Sequence, residues 1–320
     1  MTVALLEVDQ LSVALPVRGG RVRPVERVSF AVNRGEVFGI VGESGCGKST
    51  TALALIRLLG AEAEISGSVH FDGQDLLSLS ERQMCAIRGN RVSMVFQEPM
   101  TALNPVKSVA TQVMEPLLVH TTMSRAQARE EAVRLLDRVG IDQPAKRLAA
   151  YPHQLSGGQR QRVVIALALA CKPDLIIADE PTTALDTTVQ RQILDLLIGL
   201  VDETSISLLL ITHNLAIVSE IVDRVMVMYA GRAVETGPAA DVLSRPLHPY
   251  TKGLLKAIPQ PDAPAGQRLA PIAGVVPDLR RVRVGCSFAD RCPAVIPACR
   301  LGVPPDRVFA GDRTVACIRV

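Results

Sequence analysis

Over roughly the first 250 positions, short continuous apolar runs alternate with segments whose apolar and charged residues follow a helical spacing. That alternation predicts an α/β fold built around a central sheet. Val37 to Val41 reads as a buried strand ending at a Gly-rich turn, with a helix from Ser49 to Leu59 after it. Val92 to Phe96, Leu175 to Ala178, Ser207 to Ile211 and Arg224 to Met228 read as further strands. Ala126 to Val139 places apolar residues on one helical face and charges on the other, and residues from about 99 to 170 read as a mostly helical insertion. Pro238, Pro246, Pro249, Pro259, Pro261, Pro264, Pro271 and Pro277 then interrupt the chain. Such density ends long helices and predicts a linker. The expected division is a first domain at 1–258, containing the helical subdomain at about 99–170, and a small cysteine-containing module at 259–320.

The 320 residues are 48% hydrophobic and 21% charged, enough to bury a core and too apolar for a disordered chain. Aromatics make up 3% with no Trp, and the net charge is +3, so neither base-stacking platforms nor an electrostatic grip on nucleic acid is expected. The longest apolar run in the helical pattern, Val163 to Ala170, is far shorter than the roughly 18 to 20 residues of a membrane span. The start, MTVALLEVDQ, has acids and no basic segment, so no signal peptide and a cytosolic location are expected. A mean hydropathy of +0.25 leaves two explanations open, a partner surface or a generously aliphatic core.

Gly42-Glu43-Ser44-Gly45-Cys46-Gly47-Lys48-Ser49 matches the eight-position P-loop pattern between a strand and a helix. Its glycines let successive backbone N–H groups face inward, and the helix that follows adds its positive end. Lys48 is expected to reach the β- and γ-phosphates and the Ser49 hydroxyl to hold Mg²⁺, with Thr50 beside it in the nucleotide site. The apolar strand Leu175 to Ala178 delivers Asp179 and Glu180 at its C-terminal end, where open α/β sheets bind ligands. Asp179 is the expected Mg²⁺ partner and Glu180 the general base that polarises the attacking water.

Leu155-Ser156-Gly157-Gly158-Gln159, just ahead of an apolar helix, makes a second anion-binding helix start that one nucleotide does not need from one chain. With these motifs the sequence resembles ATP-binding cassette (ABC) ATPases, whose signature is LSGGQ, over roughly residues 5 to 245. The resemblance implies further roles. Gln97 matches the Q-loop glutamine that senses Mg²⁺ and touches the membrane subunit, His213 the switch histidine at the γ-phosphate, and Asp186 the aspartate that crosses the dimer interface. It also implies that two cassettes close head to tail on ATP, one P-loop facing the other chain's Ser156, Gly157, Gly158 and Gln159, and that hydrolysis reopens them. The family's upstream adenine-stacking aromatic is missing: nothing aromatic precedes Phe30, which reads as a core strand residue. Arg21, Val22 or Arg23 is expected to cover the base, with looser selectivity that ATP and GTP affinities would measure.

Gln97 to Pro105, Tyr151-Pro152-His153-Gln154, His248 to Thr251, Gly285-Cys286 and Arg291-Cys292-Pro293 resemble the oligopeptide/dipeptide importer branch of that family. The branch implies a second ABC ATPase subunit, two transmembrane permease subunits, an extracytoplasmic substrate-binding protein, and a peripheral position on the cytoplasmic face of the membrane. Close relatives in it import nickel chelates or glutathione; the rival class is a soluble ABC ATPase of DNA repair or translation. Seven cysteines in a reducing compartment read as thiols or ligands rather than disulfides. Four of them, Cys286, Cys292, Cys299 and Cys317, have five, six and seventeen residues between them. Four thiolates suit a [4Fe–4S] cluster or Zn²⁺. The lack of a CxxC knuckle weakens zinc, the resemblance favours iron–sulfur, and unliganded thiols are the remaining alternative.

Overall fold

The computed structural model describes residues 4–183, 185–257, 271–280 and 284–320, so the linker expected around residue 259 lies outside the described residues. Two strands open the chain, β1 (Ala4–Val17) and β2 (Gly20–Asn33), followed by β3 (Val37–Val41) and helix α1 (Lys48–Leu55). Next come β4 (Glu64–Phe71), β5 (Gln74–Asp75), α2 (Glu81–Ile87) and β6 (Val92–Val95). Helices α3 (Pro99–Ala102), α4 (Val109–His120), α5 (Arg125–Arg138), α6 (Pro144–Arg147) and α7 (Gly157–Leu169) follow. The chain returns to β7 (Leu175–Asp179), α8 (Thr187–Thr204), β8 (Ser207–Thr212), α9 (Leu215–Ile221), β9 (Arg224–Tyr229) and β10 (Arg232–Pro238). It ends with α10 (Ala239–Ser244), α11 (Pro249–Lys256), β11 (Arg307–Phe309) and β12 (Arg313–Val315).

The helix expected from Ser49 to Leu59 is shorter. Arg57 turns left-handed at φ 53°, and the Leu58 N–H reaches back to the Leu53 carbonyl at 2.9 Å, a closure that satisfies the last turn and stops α1. In the other direction, the apolar helix expected from Val163 begins six residues earlier, at Gly157.

Two compact units make up the chain, one comprising mainly Ser78–Leu210 and the other Val3–Val32, Val37–Leu77 and Ile211–Val320. In the first, β6 and β7 pair in parallel with Val92 opposite Leu175 and Val95 opposite Ala178, and β8 lies next to β7. Every residue of β7 is buried, as expected of a parallel strand covered on both faces. Helices α4, α5 and α7 pack on one another. Helix α5 starts at a capping box made by Ser124 and Gln127 and buries Ala128, Ala132, Leu135 and Leu136, leaving its charges outside.

In the second unit β2, β1, β4 and β5 form an antiparallel sheet in that order, while β11, β12, β10, β9 and β3 run side by side. Strand β3 is parallel to β9, with Phe38 opposite Arg224 and Val41 opposite Val227. Phe30 is buried and stacks on Phe38 with ring centroids 5.3 Å apart, in keeping with its expected place in a core strand. A second core gathers Val41, Val225, Val227, Tyr229, Tyr250 and Phe288. Its three rings pack tilted or edge-on, 4.5 to 5.3 Å apart, which concentrates a third of the chain's nine Tyr and Phe residues in one place.

His248 caps α11 inside this unit, its Nδ1 accepting the Tyr250 N–H at 3.0 Å. Burial, reinforced by the charge of Lys252, holds its pKa down at about 4. The folded ring therefore stays neutral down to that pH, while an unfolded one takes a proton below its ordinary 6.5. Stability contributed here is complete above pH 6.5 and lost as pH falls toward 4, by up to about 3 kcal/mol. Replacing His248 with Asn, whose side-chain oxygen can stand in for Nδ1 as the capping acceptor, is expected to flatten the dependence of the urea midpoint on pH between 7 and 4.5. An unchanged slope would assign the acid sensitivity to other groups.

Candidate nucleotide site

Strand β3 leads into the phosphate loop. A Cβ on Gly42 would stand 2.2 Å from the Met228 carbonyl oxygen, and one on Gly47, at φ 106°, would stand 2.1 Å from that of Pro24. No side chain fits at either position, so the loop closes only with glycine there. Gly47 caps α1, and Lys48, at its first position, is 4% exposed. Lys48 Nζ donates to the carbonyls of Gly42 at 2.8 Å and Glu43 at 3.3 Å, which folds the ammonium over the loop. Ser44 and Gly45 are exposed, and Ser49 and Thr50 are half-buried in the first turn of α1. The Cys46 thiol is buried, and burial pushes its pKa up in spite of Lys48. His213, in the same unit, follows β8 in an exposed position.

In the other unit, β7 ends on Asp179, 4% exposed, and Glu180 follows in a left-handed conformation at φ 46°. Glu180 is 9% exposed, and its Oε2 accepts from Gln97 Nε2 at 3.2 Å and Thr183 Oγ1 at 3.0 Å. The parallel register explains the meeting with Gln97. Val95 pairs with Ala178, and Gln97 and Glu180 each lie two residues beyond that pair. A buried carboxylate aimed by two neutral donors can accept a proton from water.

The LSGGQ segment builds the start of α7. Ser156 Oγ accepts the Gln159 N–H at 3.2 Å and Gln159 Oε1 accepts the Ser156 N–H at 3.1 Å, a capping box. A Cβ on Gly158 would stand 2.8 Å from Val189 Cγ1, so the glycine lets α7 approach the first turn of α8. That turn is capped by Asp186, whose Oδ1 accepts the Val189 N–H at 3.0 Å. The signature and Asp186 are thereby neighbours.

One expectation finds no support, and another is narrowed. Among the described residues no group of three or more His, Cys, Asp or Glu is arranged to hold a metal ion, so the expected [4Fe–4S] cluster or Zn²⁺ is not supported, although the thiols of Cys286, Cys292, Cys299 and Cys317 stand near enough to act on one another's pKa. None of the four is in a disulfide; Cys299 and Cys317 are buried, and Cys286 and Cys292 pack against the Tyr229–Tyr250–Phe288 core. Burial, aided by the neighbouring thiols, pushes the pKa of Cys286 and Cys292 up. Of the residues expected to cover the base, Arg21 is committed elsewhere, to Glu64 at 3.1 Å and the Glu62 carbonyl at 3.3 Å. Val22 is half-buried and Arg23 exposed on the same strand.

Sequence reasoning gave three residues no role at the site. Thr183, which holds Glu180, is legible only as a hydroxyl three positions on. Tyr250, whose Oη accepts the Glu43 N–H at 3.0 Å, and Arg291, which binds the Glu43 carboxylate, lie in strings that resemble the importer branch, but more than 200 residues from Glu43 along the chain, so nothing local points to the contact.

A glycine-bound phosphate loop between a buried strand and a helix is the mark of a P-loop nucleotide-binding protein. A family model described as ABC transporter matches residues 25–183, and one described as Oligopeptide/dipeptide transporter, C-terminal region, matches residues 234–299. The oligopeptide transport ATP-binding protein OppD of Salmonella typhimurium is 48% identical over 315 residues, 98% of this chain and 93% of that one. The chain belongs to the ABC ATPase family, in its oligopeptide/dipeptide transporter branch. The dipeptide transport ATP-binding protein DppD of Bacillus subtilis is also 48% identical, over 98% of this chain and 94% of its own. Among solved structures, the cassette MJ0796, as a post-hydrolysis dimer bound to ADP and Pi, aligns with a TM-score of 0.66 at 27% identity, over 73% of this chain and 98% of that one. No helix among the described residues is long and apolar enough to cross a membrane.

Proposed function

We propose that this protein is the energy-coupling subunit of a di- or oligopeptide importer. It would pair with a second cassette at the cytoplasmic face of the membrane, beneath two permease subunits supplied by an extracytoplasmic binding protein. The observation that carries the reading is the joint presence of an ABC cassette and the peptide-transporter C-terminal region, at 48% identity over 98% of the chain to transporters named for peptides. The division proposed from the sequence, a cassette at 1–258 and a module at 259–320, belongs to the same reading.

The backbone amides from Gly42 to Gly47 and Lys48 take the triphosphate. Ser49 and Asp179 are hard oxygen donors of the kind Mg²⁺ prefers, and the ion, when bound, neutralises charge on the phosphates. Glu180 takes the proton of the attacking water, while Gln97 and Thr183 hold its carboxylate in line. His213 faces the γ-phosphate, and Asp186 with Ser156, Gly157, Gly158 and Gln159 reaches the nucleotide of the partner cassette.

The experiment is hydrolysis by the assembled transporter in vesicles. Peptide-loaded binding protein is expected to stimulate it, and replacing Ser156 by Leu to lower it on the order of a hundredfold with nucleotide still bound. Stimulation by single-stranded DNA or ribosomes instead of peptide would sink the transport reading. Full turnover with Leu at position 156 would sink the shared nucleotide site.

A further inference from the structure

The second residue of the phosphate loop is an acid, and a carboxylate beside a polyphosphate is electrostatically unfavourable. The fold deals with it from the far end of the chain. Arg291 grips Glu43 with two parallel hydrogen bonds, Nη1 to Oε2 at 2.6 Å and Nη2 to Oε1 at 3.0 Å. The arginine side chain is 4% exposed and the glutamate 28%. Arg291 is itself held in place. Its Nε donates to the Ala273 carbonyl at 3.0 Å, its Nη2 to that of Ile272 at 3.1 Å, and its guanidinium lies 5.7 Å from the centre of the Tyr229 ring. The same glutamate presents its backbone N–H to the Tyr250 hydroxyl at 3.0 Å and its carbonyl to Lys48 Nζ at 3.3 Å. A line of contacts therefore runs from Arg291 through Glu43 to the lysine of the cradle.

We propose that Arg291 is a positioning residue for nucleotide binding: it pairs the Glu43 carboxylate and turns it from the phosphates, so that the docked C-terminal segment sets the affinity of the phosphate loop. Nothing in this depends on which molecule the transporter carries. The arginine precedes Cys292, and Phe288, three residues earlier, is seated in the Tyr229–Tyr250 core, so any change that lifts this segment frees the acid at the cradle.

The test is a double-mutant cycle on the full chain, with Mg–ATP affinity read by calorimetry and thermal unfolding followed in parallel. Arg291→Gln loses both bonds to Glu43 and is expected to weaken Mg–ATP about tenfold, with the loss shrinking as salt rises. Adding Glu43→Gln to that variant removes the liberated charge and is expected to recover most of the affinity, although the Ala273 and Ile272 carbonyls are no better satisfied than before. Arg291→Lys keeps the charge without the fork and is expected to lose about threefold or less, and Arg291→Met, which also frees the Glu43 charge, carries the double-mutant comparison should the glutamine variant fold poorly. Affinity within twofold of wild type in Arg291→Gln overturns the proposal. So does a loss that Glu43→Gln leaves unrepaired, because a purely structural arginine would behave in that way.

Discussion

Glu180→Gln is expected to bind Mg–ATP within a few-fold of wild type and to hydrolyse it about 10² to 10⁴ times more slowly, the range for loss of a general base. The substitution changes little but the chemistry. An amide has the carboxylate's shape, and its oxygen can still accept from Thr183 Oγ1, now at 3.0 Å, or from Gln97 Nε2, now at 3.2 Å. What it cannot do is take a proton from water. The left-handed backbone at φ 46° is unaltered, so stability should hold. If hydrolysis reopens paired cassettes, as proposed, the variant accumulates as a closed ATP-bound dimer, visible by light scattering. Phosphate release under saturating nucleotide is the primary measurement, and turnover within threefold of wild type would take Glu180 out of the base role.

The strands that carry this chemistry were legible because each is buried on both faces. Strands β3, β7, β8 and β9 are continuous apolar runs, and a run of that kind followed by a glycine turn or an acid pair states its own position. Strand β1 was not recognised, and of β2 only Phe30 was read as part of a strand. Each has 14 residues, and in β1 the alternation slips between Asp9 and Ser12, where the pairing with β4 is irregular and Gln10 is left-handed at φ 48°. A period-2 pattern that changes phase midway gives a weak signal. The signature was legible twice over. Ser156 and Gln159 have the spacing of a capping box as well as of the family motif, so the same letters that identify the family also start the helix. The cysteines show the opposite case. Their clustering along the chain was plain, but spacing alone could not tell a ligand set from thiols packed against aromatic rings, and Cys286 and Cys292 do pack against those rings.

Least legible were the buried ion pairs, since each joins residues far apart in sequence, and the largest stability loss is expected at one of them. Glu235 on β10 is 1% exposed and Arg313 on β12 is 6% exposed. The carboxylate accepts the Leu247 N–H at 2.9 Å and the His248 N–H at 3.1 Å, and Arg313 Nε donates to it at 3.1 Å. Arg313 also bonds the Arg245 carbonyl at 2.6 Å. Cutting the arginine back to Ala leaves a charge buried with two amide donors and no cation, which costs about 3 to 5 kcal/mol. Lys at 313 restores the charge but not the fork that spans Glu235 and Arg245, and about half that loss is expected to remain. Strands β11 and β12 have three residues each, too few to stand as a hairpin without such an anchor. The Arg313→Ala protein should therefore show early protease cleavage near residue 310 together with a lowered urea midpoint. A midpoint loss under about 1 kcal/mol would mean that water or a local shift satisfies Glu235 on its own, and that backbone pairing of β12 with β10 is what fastens the C-terminal strands.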